Sequence, residues 1–156
     1  MRAYVFPGQG AQTIGMGRAL ADAYPAARAV FEEVDEALGE KLSAVIWDGD
    51  IETLTLTRNA QPALMATSIA AMRALEAEGF AITDAAYVAG HSLGEYSALV
   101  ASGVLTLSQV ARLIERTPVE ISGGSSPIRR AVCVIPIRGE RRLRSTSTPS
   151  AFSGEM

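Results

Sequence analysis

The sequence has 156 residues, of which 48% are hydrophobic, and this length is sufficient for one domain with a hydrophobic core. Its net charge of -3 and its pI near 5.2 argue against nucleic acid as the main partner, because surfaces that bind phosphates are usually basic. No signal peptide is evident and no apolar run approaches the roughly 20 residues of a transmembrane helix, so we expect no membrane partner. A single cysteine, Cys133, excludes an internal disulfide framework and favours a reducing compartment, so the expected location is the cytoplasm.

The first predicted element is a short strand at residues 3–6, which ends abruptly at the loop Pro7–Gly10. Helical spacing then runs in two pieces between Met16 and Leu38, with Pro25 in the first turn of the second piece and Gly39 as its stop signal. Four acidic residues of the second helix are expected to face water without a chemical role: Glu32, Glu33, Asp35 and Glu36.

Residues 41–59 have a mixed pattern that predicts no definite structure. The dipeptide Gln61–Pro62 is typical of the first turn of a helix, which we expect to end before Gly79. One face of this helix is apolar and is predicted to be a buried stripe rather than a cofactor site. Its members are Leu64, Met65, Ser68, Ile69, Met72 and Leu75.

The segment Ala85–Ala89 reads as a buried strand and the segment Leu93–Ser102 as a helix, with Ser92 between them in the pattern GHSLG. In such a strand–turn–helix, Gly90 and Gly94 permit a tight turn that holds the serine exposed above the strand end. The amides of the first helical turn then lie where negative charge develops on an attacked carbonyl. The alternative is that Ser92 is only a small residue in a tight turn, but the apolar face of the following helix favours the first interpretation.

A capping box at Thr106–Gln109 predicts the start of the next helix. We expect this helix to end before Pro118, because proline lacks an amide hydrogen. Its buried face is predicted to contain Leu107, Val110, Ala111 and Ile114. Arg112 and Arg116 lie four residues apart and share one side of the helix, where an ordinary surface location is the default interpretation for each.

Residues 117–156 differ in composition from the rest of the chain. They contain six basic and three acidic residues, whereas residues 1–116 contain eight basic and fourteen acidic residues. Because this segment is rich in Ser, Thr, Pro, Gly and Arg, we expect it to be mostly disordered; its one core-like run, Ala131–Ile137, is interrupted by Pro136. The basic piece Arg138–Arg144 could bind anions or nucleic acid, but a solvated flexible tail is the more common case.

Four motifs in the same order resemble the amino-terminal part of malonyl-CoA:acyl carrier protein transacylases. They are FPGQGAQ at Phe6–Gln12, NAQPAL at Asn59–Leu64, GHSLGEYSAL at Gly90–Leu99 and RLIER at Arg112–Arg116. The resemblance covers residues 1–116 and implies an α/β fold. It implies part of an α/β-hydrolase-like large subdomain, with parallel strands and helices, without the ferredoxin-like small subdomain that the family inserts after this region.

The resemblance implies that Ser92 is the catalytic nucleophile, which takes malonyl from malonyl-CoA and passes it to the phosphopantetheine thiol of acyl carrier protein in fatty acid biosynthesis. The backbone amides of Gln9 and Leu93 would then form the oxyanion hole. No metal and no bound cofactor is implied, and malonyl-CoA is the substrate.

Three further residues are implied to contact the substrate. Arg116 would bind the free carboxylate of malonate with its planar guanidinium, which favours malonyl over acetyl. Gln61 would line the pocket. His91 would also line the pocket, because it directly precedes Ser92 and neighbouring residues of such a turn project in different directions.

The family uses a histidine far downstream to activate the serine, whereas the one histidine of this sequence is His91. Without a general base a serine hydroxyl is a poor nucleophile, so we expect this chain to be impaired or inactive. Because the later strands of the family are missing, we also expect exposed apolar surface that favours association. The resemblance ends near Thr117, which suggests the hypothesis that residues 117–156 are translated out of frame. Two alternatives stay open: the acyltransferase domain of a polyketide-type synthase, although a motif starting at residue 6 favours a stand-alone enzyme, and a non-catalytic remnant that binds acyl-CoA or carrier protein.

Overall fold

The structure is a computed structural model that describes residues 2–116 and 132–137. Its residues form both strands and helices, as expected for an α/β protein. In chain order they are β1 (Ala3–Phe6), α1 (Arg18–Ala23), α2 (Pro25–Leu38), α3 (Leu42–Asp48), α4 (Ile51–Thr55), α5 (Thr57–Ala77), β2 (Tyr87–His91), α6 (Gly94–Ala101), α7 (Leu107–Arg116) and β3 (Val132–Pro136). A single 3-10 turn at Ile82–Asp84 precedes β2. The predicted α/β class is therefore confirmed.

The strands form one sheet in the order β1-β2-β3. β1 and β2 are parallel, with Phe6 opposite Gly90, and helices α1 to α5 make the crossover between them. The inner face of the sheet carries Phe6 and Val88, which are buried against the helices. On the outer face Val5 is 75% exposed and Val134 is 56% exposed. Among the described residues the core therefore lies on one side of the sheet.

The helices pack around α2 and α5, which contact each other extensively, and α7 packs against both. Phe31 of α2 meets Trp47 of α3 edge to face, with ring centroids 5.0 Å apart. Met65 and Ile69 of α5 are fully buried in the same cluster. This apolar cluster makes α5 a fixed support for the residues at its amino-terminal end.

Several local predictions are confirmed. β1 has the predicted bounds, and α2 begins at Pro25 and ends before Gly39, whose φ of 69° is left-handed. The capping box at Thr106–Gln109 is formed in both directions: the Gln109 amide donates to the Thr106 hydroxyl, and the Thr106 amide donates to Gln109 Oε1. β2 begins at Tyr87, two residues later than predicted, because the 3-10 turn still holds the Ala85 amide on the Ile82 carbonyl.

The predicted start of α5 is wrong. The helix begins at Thr57, and Pro62 is an interior residue rather than a first-turn residue. Proline at this position removes a hydrogen bond to the carbonyl of Arg58, which is only the second residue of the helix. Leu75, predicted as the last member of the buried stripe of α5, is 43% exposed, so the predicted stripe ends at Met72.

Asp35 corrects the expectation that all four acidic residues of α2 face water. Its side chain is only 6% exposed, and its carboxylate accepts hydrogen bonds from the Ser43 amide at 2.9 Å and from the Ser43 hydroxyl at 2.6 Å. Lys41 Nζ lies 3.5 Å from the same carboxylate. Asp35 therefore fixes the start of α3 against α2. The neighbouring Glu33 is exposed but accepts from the amide and hydroxyl of Ser108 in α7.

Part of the segment from residue 117 onward, which was expected to be mostly disordered, forms β3. Residues 132–136 pair antiparallel with β2, with Val134 opposite Ala89, and Pro136 ends the strand, where a missing amide hydrogen costs little. This pairing with a distant strand is not visible in the local composition. Residues 117–131 and 138–156, including the basic piece Arg138–Arg144 and Thr117, lie outside the described residues.

We expect Asp35→Ala to lower the free energy of unfolding by about 2 kcal/mol, because the Ser43 amide and hydroxyl lose a charged acceptor in a buried position. Urea denaturation followed by far-ultraviolet circular dichroism measures the change. Glu36→Ala is the matched control on the same helix and should change stability by less than about 0.5 kcal/mol. Equal effects of the two substitutions would contradict the role assigned to Asp35.

Candidate functional site

Ser92 lies at a sharp turn between the end of β2 and the start of α6. Its φ is 55°, and it is the only residue other than glycine with a positive φ among residues 2–116 and 132–137. A left-handed conformation is uncommon for a residue with a β-carbon and costs about 1–2 kcal/mol. The Ser92 side chain is exposed, and its carbonyl accepts from the Glu95 amide at 3.0 Å. The turn therefore presents a strained, accessible hydroxyl at the start of a helix.

Two glycines make this turn possible because the backbone passes close to itself. A β-carbon on Gly90 would overlap the carbonyl of Gly94, and a β-carbon on Gly94 would overlap the carbonyl of Phe6 at the end of β1. The ends of β1 and β2 and the start of α6 are thus in backbone contact. Larger residues at either position would push α6 away from the strands and displace Ser92.

The loop after β1 passes beside Ser92. A β-carbon placed on Gly8 would lie 3.0 Å from the His91 carbonyl oxygen, 3.1 Å from His91 Nδ1 and 3.7 Å from the Ser92 β-carbon. Gly8 therefore packs on the last residue of β2 and on the turn itself. Gln9 follows directly, so its backbone is held in the same neighbourhood.

Gln61 of α5 reaches the same loop. Its side chain is 3% exposed, and Nε2 donates a hydrogen bond to Gln9 Oε1 at 3.3 Å. Leu93, immediately after Ser92, is the N-cap of α6 and is also buried. Five of the six residues predicted for the site, Ser92, His91, Leu93, Gln9 and Gln61, are therefore connected through the loop and the turn.

The backbone amides of Gln9 and Leu93 are the two donors predicted to form an oxyanion hole. Within residues 2–116 and 132–137, none of the hydrogen bonds uses either amide as its donor. The Leu93 amide also belongs to the first turn of α6, where the helix dipole favours negative charge. The turn therefore places the Ser92 hydroxyl beside the amino-terminal end of α6.

Arg116 is the sixth predicted residue, and it is the last residue of α7. Its side chain is exposed, and no hydrogen bond or ion pair among the described residues involves its guanidinium. Arg112, one turn earlier, donates from Nε to the Ala37 carbonyl at 3.3 Å and so lies against the end of α2. No described contact joins Arg116 to the residues around Ser92.

Sequence patterns alone did not reveal how Gly8 and Gln61 contribute. Both lie far from Ser92 in the sequence, and only the fold brings Gly8 against His91 and the Gln61 side chain onto Gln9. The one usable signal was the glycine-rich FPGQGAQ stretch at the end of a strand. In the part of the chain that the structure describes, no three metal-ligating side chains lie together, and no helix is both long and apolar enough to cross a membrane.

Comparison with known proteins shows which families and relatives this chain is similar to. Residues 3–119 match the family model described as the acyl transferase domain. The malonyl CoA-acyl carrier protein transacylase of Bacillus subtilis (strain 168) is 50% identical over 114 residues, which are 73% of this chain and 35% of that protein. The chain thus spans about a third of the length of the curated relatives it matches.

Solved structures give the same result. The crystal structure of an acyl-carrier-protein-S-malonyltransferase from Bartonella henselae matches with a TM-score of 0.70 and 56% identity, covering 74% of this chain and 37% of that one. A malonyl-transacylase in complex with its type II PKS acyl-carrier protein matches with a TM-score of 0.68 and 45% identity, covering 73% of this chain and 36% of that one. These similarities confirm the predicted partial acyltransferase fold.

The strain at Ser92 predicts an unusual order of stability. Ser92→Gly should be more stable than Ser92→Ala by about 1 kcal/mol, because glycine adopts a positive φ without the steric cost that alanine retains. The matched control is the same pair of substitutions at Ser68 in the middle of α5, where alanine should be the more stable by about 1 kcal/mol. Urea denaturation of the four variants gives both orders, and a more stable alanine at residue 92 would contradict the left-handed turn.

Proposed function

The chain belongs to the acyl transferase domain family, and from this membership we propose that Ser92 transfers a malonyl group from coenzyme A to the phosphopantetheine thiol of an acyl carrier protein. The observation that carries the proposal is the left-handed, exposed Ser92 between β2 and α6. The names of the relatives give malonyl-CoA and acyl carrier protein as the expected substrate and partner. Fatty acid biosynthesis is the process that the family resemblance implies.

The proposed reaction has two halves. In the first, Ser92 Oγ attacks the thioester carbonyl of malonyl-CoA, an ester bond forms, the carbon–sulfur bond breaks, and the departing coenzyme A thiolate gains the proton lost by the hydroxyl. In the second, the thiol of the carrier protein attacks the ester, the carbon–oxygen bond breaks, and the proton of the thiol returns to Ser92 Oγ. Malonyl moves between two thiols through one serine ester.

Negative charge develops on the carbonyl oxygen in both halves. The amides of Gln9 and Leu93 would stabilise it, since Gly8 holds the first beside the turn and the start of α6 holds the second. Removal of one such donor in an acyl-transfer enzyme typically costs about 3 kcal/mol of transition-state stabilisation. His91 and Gln61 are proposed to line the space in which the acyl group lies.

Deprotonation of the Ser92 hydroxyl is the least efficient step of the proposed reaction in this chain. The sequence has one histidine, His91, and it occupies the residue directly before Ser92, where it is unsuited to accept the Ser92 proton. Loss of the general base in a catalytic triad costs roughly 10⁶-fold in turnover. We therefore expect acylation of Ser92 by this chain to be slow, with water or the leaving thiolate taking the proton.

The complex with a type II PKS acyl-carrier protein favours one second candidate function. The same serine chemistry would then deliver malonyl to a carrier protein of polyketide synthesis. Malonyl transfer to the two kinds of carrier protein, measured side by side, distinguishes the candidates, and binding of malonyl-CoA without any transfer would favour a non-catalytic remnant.

The single cysteine, Cys133, supports the proposed cytoplasmic location.

The direct test is the intact mass of the chain after incubation with malonyl-CoA, followed by peptide mapping. We expect a malonyl ester on Ser92, formed slowly, and none in Ser92→Ala. Ser97→Ala is the control for a nearby serine, which lies in α6 rather than in the turn, and this variant should keep the ester. An ester that also forms in Ser92→Ala, or no ester in the wild type, would contradict the proposal.

Arg116 is proposed to select malonyl over acetyl by pairing with the free carboxylate. Arg116→Gln should lower Ser92 acylation by malonyl-CoA at least about tenfold and leave acylation by acetyl-CoA unchanged, because a charge-assisted hydrogen bond of about 1.5–3 kcal/mol is lost with malonyl alone. Arg112→Gln removes the neighbouring arginine and should alter neither rate. An equal decrease in the rate of Ser92 acylation with both thioesters would show that Arg116 does not bind the free carboxylate of malonyl-CoA.

A further inference from the structure

We propose that Gln61 is a positioning residue, which acts through the Gln9 side chain to hold the loop Gly8–Gln12 beside Ser92. The role implied for Gln61 by family resemblance is contact with the substrate, whereas the observed contact is with the loop. The inference rests on the proposed function, since it concerns the placement of the Gln9 amide during acylation of Ser92. The hydrogen bond from Gln61 Nε2 to Gln9 Oε1 is the observation that carries it.

Gln61 is suited to fix a neighbouring loop because it is itself immobilised. It lies in α5, a helix of 21 residues, and its flanking residues Ala60 and Pro62 are buried with it. Four residues later Met65 belongs to the central apolar cluster. A buried amide side chain on a packed helix has little rotamer freedom left, so a hydrogen bond to it transfers the rigidity of the helix to its partner.

The loop needs such a restraint. Residues 7–14 contain no helix or strand, and Gly10 has a φ of 116°, which only glycine adopts readily. The bond to Gln61 connects this loop with α5, and Gly8 packs its backbone against His91 at the end of β2. The position of Gln9 therefore depends on Gln61 as well as on the packing of Gly8.

A loose Gln9 would affect the reaction rate rather than the binding of malonyl-CoA. An oxyanion donor acts only when its amide is within hydrogen-bond distance of the developing charge, and a displacement of about 1 Å is enough to cost up to 100-fold in rate. At 3.3 Å the bond is long for a neutral N–H···O hydrogen bond and therefore weak, so its loss should free the loop without unfolding α5.

Hydrogen–deuterium exchange tests the positioning role without any substrate. In Gln61→Met, which keeps the length of the side chain, amides in peptides covering residues 7–14 should exchange at least fivefold faster than in the wild type. Thr67→Val is the matched control, because it removes a side-chain hydrogen bond of α5 that stays within the helix, on the Ala63 carbonyl. Exchange that is unchanged in Gln61→Met would overturn the proposal.

The rate of ester formation on Ser92 tests the consequence. Gln61→Met and Gln9→Met should each lower the maximal rate about tenfold with an unchanged half-saturating concentration of malonyl-CoA. The double variant should be no slower than either single variant, because both substitutions break the same bond. A raised half-saturating concentration with an unchanged maximal rate would show that Gln61 binds substrate instead. If the wild type forms no ester, the proposed function fails, and the exchange measurement still decides the role of Gln61.

Discussion

Backbone contact between the start of α6 and the end of β1 is the constraint on which the candidate site depends. Gly94 lies so close to the Phe6 carbonyl that any side chain there would collide with it, and Gly90 lies equally close to Gly94. The chain can leave β2 and enter α6 at this distance only through an abrupt turn, and Ser92 adopts its left-handed φ at that turn. The strain at one residue is therefore imposed by packing around it, in keeping with strained residues found at functional sites.

Packing of the helices stabilises this backbone contact between α6 and β1. α2 and α5 pack against each other and carry the apolar cluster, while α6 lies on the inner face of the sheet. Because α5 is fixed at its buried face, Gln61 at its amino-terminal end reaches Gln9 from a rigid base. Core packing, the loop after β1 and the turn at Ser92 thus form one connected unit, and the proposed chemistry draws on all three.

Features set by neighbouring residues could be predicted from the sequence, and features set by distant contacts could not. The stop at Gly39, the capping box at Thr106–Gln109 and the strand–turn–helix around the central serine each need only a few adjacent residues. The start of α5 was misplaced because packing outweighs the local signal of Pro62. The burial of Asp35 depends on a partner in the next helix, and the bond made by Gln61 joins residues 52 positions apart, so neither has a signature in the local pattern.

The backbone φ of Ser92 in solution is the most direct measure of whether these contacts assemble in the 156-residue chain. Backbone chemical shifts and three-bond couplings from nuclear magnetic resonance of the isotope-labelled protein give this angle without any substrate. We predict a left-handed value near the 55° of the structure, with Leu93 already helical. A right-handed or extended φ at Ser92 would mean that the described strands and helices do not by themselves build the turn, and would contradict the proposed placement of the hydroxyl.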